Sequence, residues 1–330
     1  MTGIIFSILI LVFLVGSSSL YFLLRTPGKR YTGPGSVSDL YDAWTVDKKM
    51  KFYWGNHLHA GHYGLPSHHK DFIRAKFDMI DEMVHWGIAE PDPMLFNRLE
   101  KPIPGAEPVK ILDIGCGLGG SVSYLAKRWS KSAHITGITI SNAQARFAID
   151  LARSGDQKNV AFMLCDAMNQ AFAPESFDII WTLESEMHMP DKERFVNEIV
   201  RLLKPGGRVV TGTWNLRDTR SVPLTPSEKE KVQYMLDEWC ATKFDGIQEI
   251  VERFERHGLI DVLGEDWTEA TLPSWREAVL VAVRDVRGLA GNSLDLALSH
   301  IRDAYTILLH DSAFRKGLCE YGLFRGQKPG

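Results

Sequence analysis

Val109-Lys110-Ile111-Leu112-Asp113-Ile114-Gly115-Cys116-Gly117-Leu118-Gly119-Gly120 is the stretch on which the fold turns. Its first half is a short apolar run that predicts a buried strand, and its second half is a glycine-rich turn into a helix predicted over residues 119–129. Glycines let the backbone turn sharply there, and let a ligand approach the outward-pointing N–H groups of the helix. Working outward, strands are predicted at 133–139, 160–165, 177–182 and 208–214, and helices at 142–154 and 192–203. One more helix–strand pair follows at 247–257 and 259–265, then a helical stretch from 273 to about 315 and a last strand at 317–327. Upstream, apolar residues at helical spacing mark a helix around 70–86. The alternation predicts an α/β fold: a Rossmann-like, doubly wound, mostly parallel sheet with helices on both faces. In such a sheet the ligand sits beyond the carboxyl end of the first strand.

A glycine-rich turn alone does not separate a dinucleotide from S-adenosylmethionine (SAM). Asp113 stands directly before the turn, where a carboxylate opposes a cationic amino-acid end and repels a pyrophosphate. The second strand also ends without the Asp or Glu that a nicotinamide dinucleotide's ribose calls for. Both features favour SAM.

Further motifs lie in order along the chain. They are Gly137-Ile-Thr-Ile-Ser141-Asn-Ala-Gln144, Cys165-Asp166-Ala167, Phe177-Asp-Ile-Ile-Trp-Thr-Leu-Glu184-Ser185 with His188-Met-Pro-Asp191, Leu203-Lys-Pro-Gly-Gly207, and Thr213-Trp214. With the turn after Asp113, they resemble the class I SAM-dependent methyltransferases. Within that superfamily the set is similar to the gamma-tocopherol C-methyltransferase-like group, a relative of sterol C-methyltransferases and cyclopropane synthases. Trp54-Gly-Asn-His57-Leu-His59-Ala-Gly-His62-Tyr63 and the ending from Lys316 to Phe324 extend the resemblance over residues 41–329.

The resemblance implies that Asp113, Gly115 and Gly117 hold the methionine part of SAM, with Gly119 in the same turn. It implies ribose contacts from Thr139 and Gln144, and adenine contacts from Asp166 and Ala167. An ordinary helix or turn cap accounts for Asp166, Thr139 and Gln144 as well. On the acceptor side, Glu184 and His188 lie four residues apart just past the fourth strand, and a neutral histidine there can take a proton. His57 and His59 are further candidates, set with Trp54 and Tyr63 in a lid over the acceptor. Trp267 and Trp275 form its far wall or pack in the core. The group shows Glu-His where this chain has Met187-His188, which argues against cyclopropanation. His57-x-His59-x-x-His62 lacks a neighbouring acid or cysteine set, and no metal is assigned.

The 330 residues, 45% hydrophobic and 24% charged, exclude disordered and disulfide-scaffold classes, and a net charge of −3 gives no pull toward nucleic acid. Four scattered cysteines form no zinc pattern and read as reduced thiols. Residues 4–24 carry no charge and would span about 30 Å as a helix, enough for a bilayer core. Arg25, Lys29 and Arg30 follow, so a retained single-pass anchor would leave the chain's bulk in the cytosol. A cleaved signal peptide or organelle targeting is the alternative. The division expected is an anchor and basic flank at 1–30, a cap at 31–105 and a SAM domain at 106–330, with a helical insertion at about 268–316. The activity expected is C-methylation of a lipophilic prenylated phenol or quinol. The alternatives are sterol C-methylation, N-, O- or S-methylation of a small metabolite, or a membrane protein that binds SAM without turnover.

Overall fold

The computed structural model describes residues 29–284 and 294–330. Among the described residues four helices precede the first strand: α1 (Pro34–Val46), α2 (Lys49–Trp54), α3 (Phe72–Val84), which runs on through one wider turn at His85–Ala89, and α4 (Pro93–Glu100). Asp71 and Asp92 accept the N–H groups of Arg74 and Leu95, capping α3 and α4. Then β1 (Val109–Ile114), α5 (Gly120–Arg128), β2 (Ala133–Thr139), α6 (Asn142–Ser154), β3 (Val160–Leu164) and β4 (Phe177–Leu183) alternate. They are followed by α7 (Lys192–Leu202), β5 (Leu203–Leu216), α8 (Pro226–Glu238), α9 (Ile247–Arg256) and β6 (Ile260–Asp266). The helices α10 (Thr268–Thr271), α11 (Pro273–Arg284) and α12 (Leu294–Arg315) come before β7 (Cys319–Gln327).

The seven strands form one sheet in the order β3-β2-β1-β4-β5-β7-β6. Only β7 runs against its neighbours, inserted between β5 and β6. Alternate residues of the central strands feed two cores. Ile111, Ile179, Trp181 and Val210 face Met79, Ile80 and Met83 of α3, and Leu112, Ile180 and Val209 face Phe195 and Ile199 of α7 and Phe254 of α9. Because β1, β2, β3 and β4 are parallel, their carboxyl ends share one edge of the sheet.

Several boundaries differ from the sequence reading. Leu203 begins β5 instead of ending α7, and β5 runs to Leu216. The helical stretch before β7 is divided into α10, α11 and α12, with residues 285–293 outside the described residues. The helices α1 and α8 had no counterpart among the predicted elements. In α1, Pro34 in the first turn and Val37, Leu40, Tyr41 and Trp44 at helical spacing carried the signal. In α8 the signal was the Thr225–Glu228 capping box. Among the described residues no helix is long and apolar enough to cross a membrane; the apolar stretch 4–24 lies outside them.

Candidate active site

A cavity of about 980 Å³, open mouth included, lies beyond the carboxyl ends of β1, β2 and β4. Its floor is the turn after β1, and its roof comes from the cap: Tyr31, Pro34, Val37 and Tyr41, with residues 56–59 at the side. The cap helix α1 is fastened over it by hydrogen bonds that the sequence reading did not foresee. Ser38 donates to the Ile140 carbonyl at 3.0 Å, and Asp42 accepts from the Ser141 hydroxyl at 2.5 Å and the Ala143 N–H at 2.9 Å. Tyr41 completes the set through His188, at 3.1 Å.

The donor side is built on Asp113. Its side chain is buried, makes no hydrogen bond with a described residue and lines the cavity. Burial pushes its carboxyl up to about 7, because no cation among the described residues compensates the lost water. A ligand with a positive ammonium or sulfonium supplies the missing charge, so the chemistry of this wall fits SAM. Gly115 has a φ of 79°, and a Cβ there would collide with Ser185, whose hydroxyl is tied to the Ile114 carbonyl at 2.7 Å. Gly117, Gln144, Thr139, Asp166 and Ala167 also line the cavity. Gly119, in the same turn, is not among the lining residues; a Cβ on it would meet Ala148 and Phe162. Thr139 donates to Gln144 Oε1 at 2.8 Å, which turns the Gln144 amide N–H groups away from Thr139 as free donors. One oxygen of Asp166 accepts the Met168 N–H at 2.8 Å, so the turn-capping role is real, and Oδ2 is left for a ligand.

On the other side, Glu184 stands at the end of β4 with a φ of 56°, a left-handed conformation rare for a side-chain-bearing residue. Its Oε1 accepts the Ala60 N–H at 2.7 Å and the Tyr321 hydroxyl at 2.8 Å, while Oε2 makes no hydrogen bond with a described residue. Burial raises its carboxyl to about 7, against the pull of those donors and of the Lys76 charge. His59 bonds the Ala60 carbonyl through Nδ1 at 2.8 Å, so that nitrogen carries the proton and the unpartnered Nε2 is the basic atom. Burial holds His59 well below the usual imidazole range and His57 down to about 3, so both are neutral. Lys76, fully buried on α3 against the faces of Trp54 and Phe72, fixes this loop: Nζ donates to the His57 carbonyl at 2.6 Å and to the His59 carbonyl at 2.8 Å.

His188 is also in the cavity wall, but neither ring nitrogen is spare. Nδ1 meets the Cys240 carbonyl at 3.2 Å and is therefore the protonated nitrogen, and Nε2 accepts from Tyr41. Burial lowers its pKa to about 4, which keeps the ring neutral. Met187 points into the core, with the Thr213 hydroxyl 3.7 Å from its sulfur, so the Glu-to-Met difference leaves the cavity surface unchanged. Of the expected lid residues, only His57 and His59 line the cavity. Trp54 covers Lys76, and Tyr63 is buried away from it. Trp267 and Trp275 are core residues: the first packs on His62 and Trp86, the second on Trp214 and His310.

A parallel sheet with one reversed strand, a glycine turn under a buried carboxylate and an oriented amide beyond β2 define a class I methyltransferase. Solved structures agree on the fold. The [4+2]-cyclase SpnF superposes with a TM-score of 0.69 at 20% identity, covering 92% of this chain and 99% of its own. A geranyl diphosphate C-methyltransferase from Streptomyces coelicolor, solved with Mg2+, geranyl diphosphate and S-adenosylhomocysteine, gives 0.62 at 19% identity, covering 92% and 99%. A family described as a methyltransferase domain matches residues 112–211. The 2-methyl-6-phytyl-1,4-hydroquinone methyltransferase of Synechocystis is 38% identical over 306 residues, 92% of this chain and 90% of that protein. The chloroplastic tocopherol O-methyltransferase of Arabidopsis thaliana is 34% identical over 292 residues, 84% and 77% of the two chains. The chain belongs to the SAM-dependent methyltransferases, in the tocopherol methyltransferase-like group. It is an enzyme that uses SAM as methyl donor.

Proposed function

We propose that the acceptor is a prenylated phenol or hydroquinone, methylated at a ring carbon. The observation that carries this is the identity, 38% over nearly the whole length of both chains, to a methyltransferase named for a phytyl hydroquinone. The cavity supports it, since His59 Nε2 is a buried acceptor without a partner among the described residues, and Glu184, whose hydrogen bonds from Ala60 and Tyr321 both fall on Oε1, lines the same cavity. A phenol brings the hydroxyl that such atoms need.

Bound SAM supplies an electrophilic methyl group on a positive sulfur. Asp113 holds its amino-acid end, the Gln144 amide and Asp166 hold the nucleoside, and the cap keeps water out. The chain's own chemistry is the handling of protons. Glu184 Oε2 takes the phenolic proton, which raises electron density at the neighbouring ring carbon, and His59 Nε2 accepts from a second hydroxyl. As a carbon–methyl bond forms there, the methyl–sulfur bond breaks and S-adenosylhomocysteine is left. Glu184 returns its proton to the oxygen, that carbon's hydrogen leaves as a proton to solvent, and the aromatic ring is restored. His188 acts through Tyr41 as part of the wall.

The test is incubation of residues 29–330 with methyl-labelled SAM and a panel of prenylated hydroquinones, sterols and small phenols. A ring-methylated quinol supports the proposal, and label found only in sterols or on nitrogen, oxygen or sulfur of small metabolites overturns it. Glu184→Gln should lower turnover at least a hundredfold with SAM affinity within twofold.

The apolar stretch 4–24 and the basic residues behind it support a membrane anchor that keeps the catalytic domain beside a lipid-soluble acceptor. The full chain should float with phospholipid vesicles and the form lacking residues 1–28 should not. Recovery of both forms in the vesicle-free fraction would remove the anchor.

A further inference from the structure

We propose that Tyr321 is a positioning residue for the proton-accepting carboxylate of Glu184, holding one oxygen so that the other meets the acceptor. The inference rests on the reading of Glu184 given above. Tyr321 lies on β7, opposite Trp214 of β5, with its ring in the core and its hydroxyl 2.8 Å from Glu184 Oε1. The Ala60 N–H binds that same oxygen at 2.7 Å. Two donors on Oε1, from the sheet and from the cap, fix the carboxylate plane and leave Oε2 without a hydrogen bond to a described residue, in a side chain that lines the cavity.

The backbone cannot do this alone. Glu184 is in the left-handed region at φ 56°, just beyond the last residue of β4, so its side chain leaves the strand's alternation and needs a contact to define its direction. Tyr321 supplies it from across the sheet, which requires β7 to lie beside β5. The reversed strand therefore contributes a functional atom to the edge where the parallel strands end.

Five groups act on the Glu184 carboxylate, the Ala60 N–H of the cap loop among them. Tyr321 on β7 and the Trp214 indole on β5 favour the charged form, as does Lys76 on α3 while it is protonated, burial having lowered its own pKa to about 7; the Tyr41 phenol on α1 also faces it. Burial and the carboxylate keep the Tyr321 phenol protonated, so it is always the donor. Removing its hydroxyl takes away a bond that favours the carboxylate, and the proton affinity of Glu184 must rise.

The experiment is an infrared difference titration of the full chain with S-adenosylhomocysteine present, the Glu184 carboxyl band being the one lost in Glu184→Gln. In Tyr321→Phe its midpoint should move up by about one pH unit, a tenfold gain in proton affinity. Site-specific 3-fluorotyrosine at position 321, a stronger donor in the same volume, should move it down. In turnover, Tyr321→Phe should lose roughly tenfold at pH 6.5 and recover to within twofold by pH 9, with SAM affinity within twofold of the parent. A midpoint unmoved by either change, or a turnover loss equal at every pH, overturns the role of Tyr321. Full activity in Glu184→Gln overturns the proton-acceptor reading instead, and the infrared midpoint still reports whether the bond exists.

Discussion

Glu184 accepts the backbone N–H of Ala60 at 2.7 Å, a bond between residues 124 positions apart in the chain. It ties the end of β4 to the loop that carries His57 and His59, so the two sets of acceptor-side atoms move together. The same loop rests on the SAM turn: the Asn56 carbonyl lies so close to Gly120 that a side chain there would collide with it. Donor site, acceptor site and cap are therefore one mechanical unit, and the following outcomes are expected from it.

Asp113→Asn should weaken SAM binding at least fiftyfold by calorimetry, about 2–3 kcal/mol, since the cationic end loses a buried counter-charge. In the parent the carboxyl pKa is raised to about 7, and a cation binds the charged form. SAM affinity should therefore rise as pH increases through 7. Below 7, binding should release a proton, seen as heat that depends on the buffer's ionisation enthalpy. Asp113→Asn should abolish that proton release.

Gly120→Ala should disrupt the contact between the turn and the cap. The new methyl meets the Asn56 carbonyl and approaches His57 Nδ1, at 2.9 Å, so the loop must lift. Expected outcomes are faster proteolysis within residues 29–60 and at least a tenfold loss in kcat/KM. Unchanged proteolysis and kinetics would show that the loop does not rest on this turn.

Lys76→Met should cost about 2 kcal/mol in a urea titration, because the His57 and His59 carbonyls lose their donor inside the protein. Methionine fills the space against Trp54 and Phe72 without restoring either bond. A midpoint equal to the parent's would mean that the loop holds its place without the lysine.

Tyr41→Phe should loosen the cap and leave the chemistry intact. One of the bonds fastening α1 is lost while Ser38 and Asp42 remain. The SAM off-rate should rise several-fold by stopped-flow, with kcat changed less than twofold. A large kcat loss with an unchanged off-rate would instead assign Tyr41 and His188 to proton transfer.

The strands and the glycine turn were legible because their signals are local. A buried strand is apolar along its length, a sharp turn needs glycine, and a carboxylate before a helix N-terminus selects the charge of its ligand. Asp113, Gly115 and Gly117 line the cavity for that reason; Thr139, Gln144, Asp166 and Ala167 line it too, and those four came from the resemblance of the ordered motifs. Gly119 packs against Ala148 and Phe162 outside the cavity lining, and in sequence a glycine in a packed turn looks like one that faces a ligand. The large aromatic residues Trp54, Tyr63, Trp267 and Trp275 were ambiguous for a similar reason, since burial in a core and exposure to an apolar ligand call for the same side chains.

The sequence by itself determined the sheet, the SAM turn and the candidate acids and bases, because each depends on neighbours within a few residues. Tertiary structure alone decided which atoms of those candidates are free. It occupied both nitrogens of His188, left Nε2 of His59 without a partner among the described residues, placed the hydrogen bonds of Glu184 on Oε1, and brought Lys76 and Tyr321 to hold them. A hydrogen-bond partner arriving from another element across the fold leaves no periodic or local trace in the chain, whereas its effect on a buried group's proton is large.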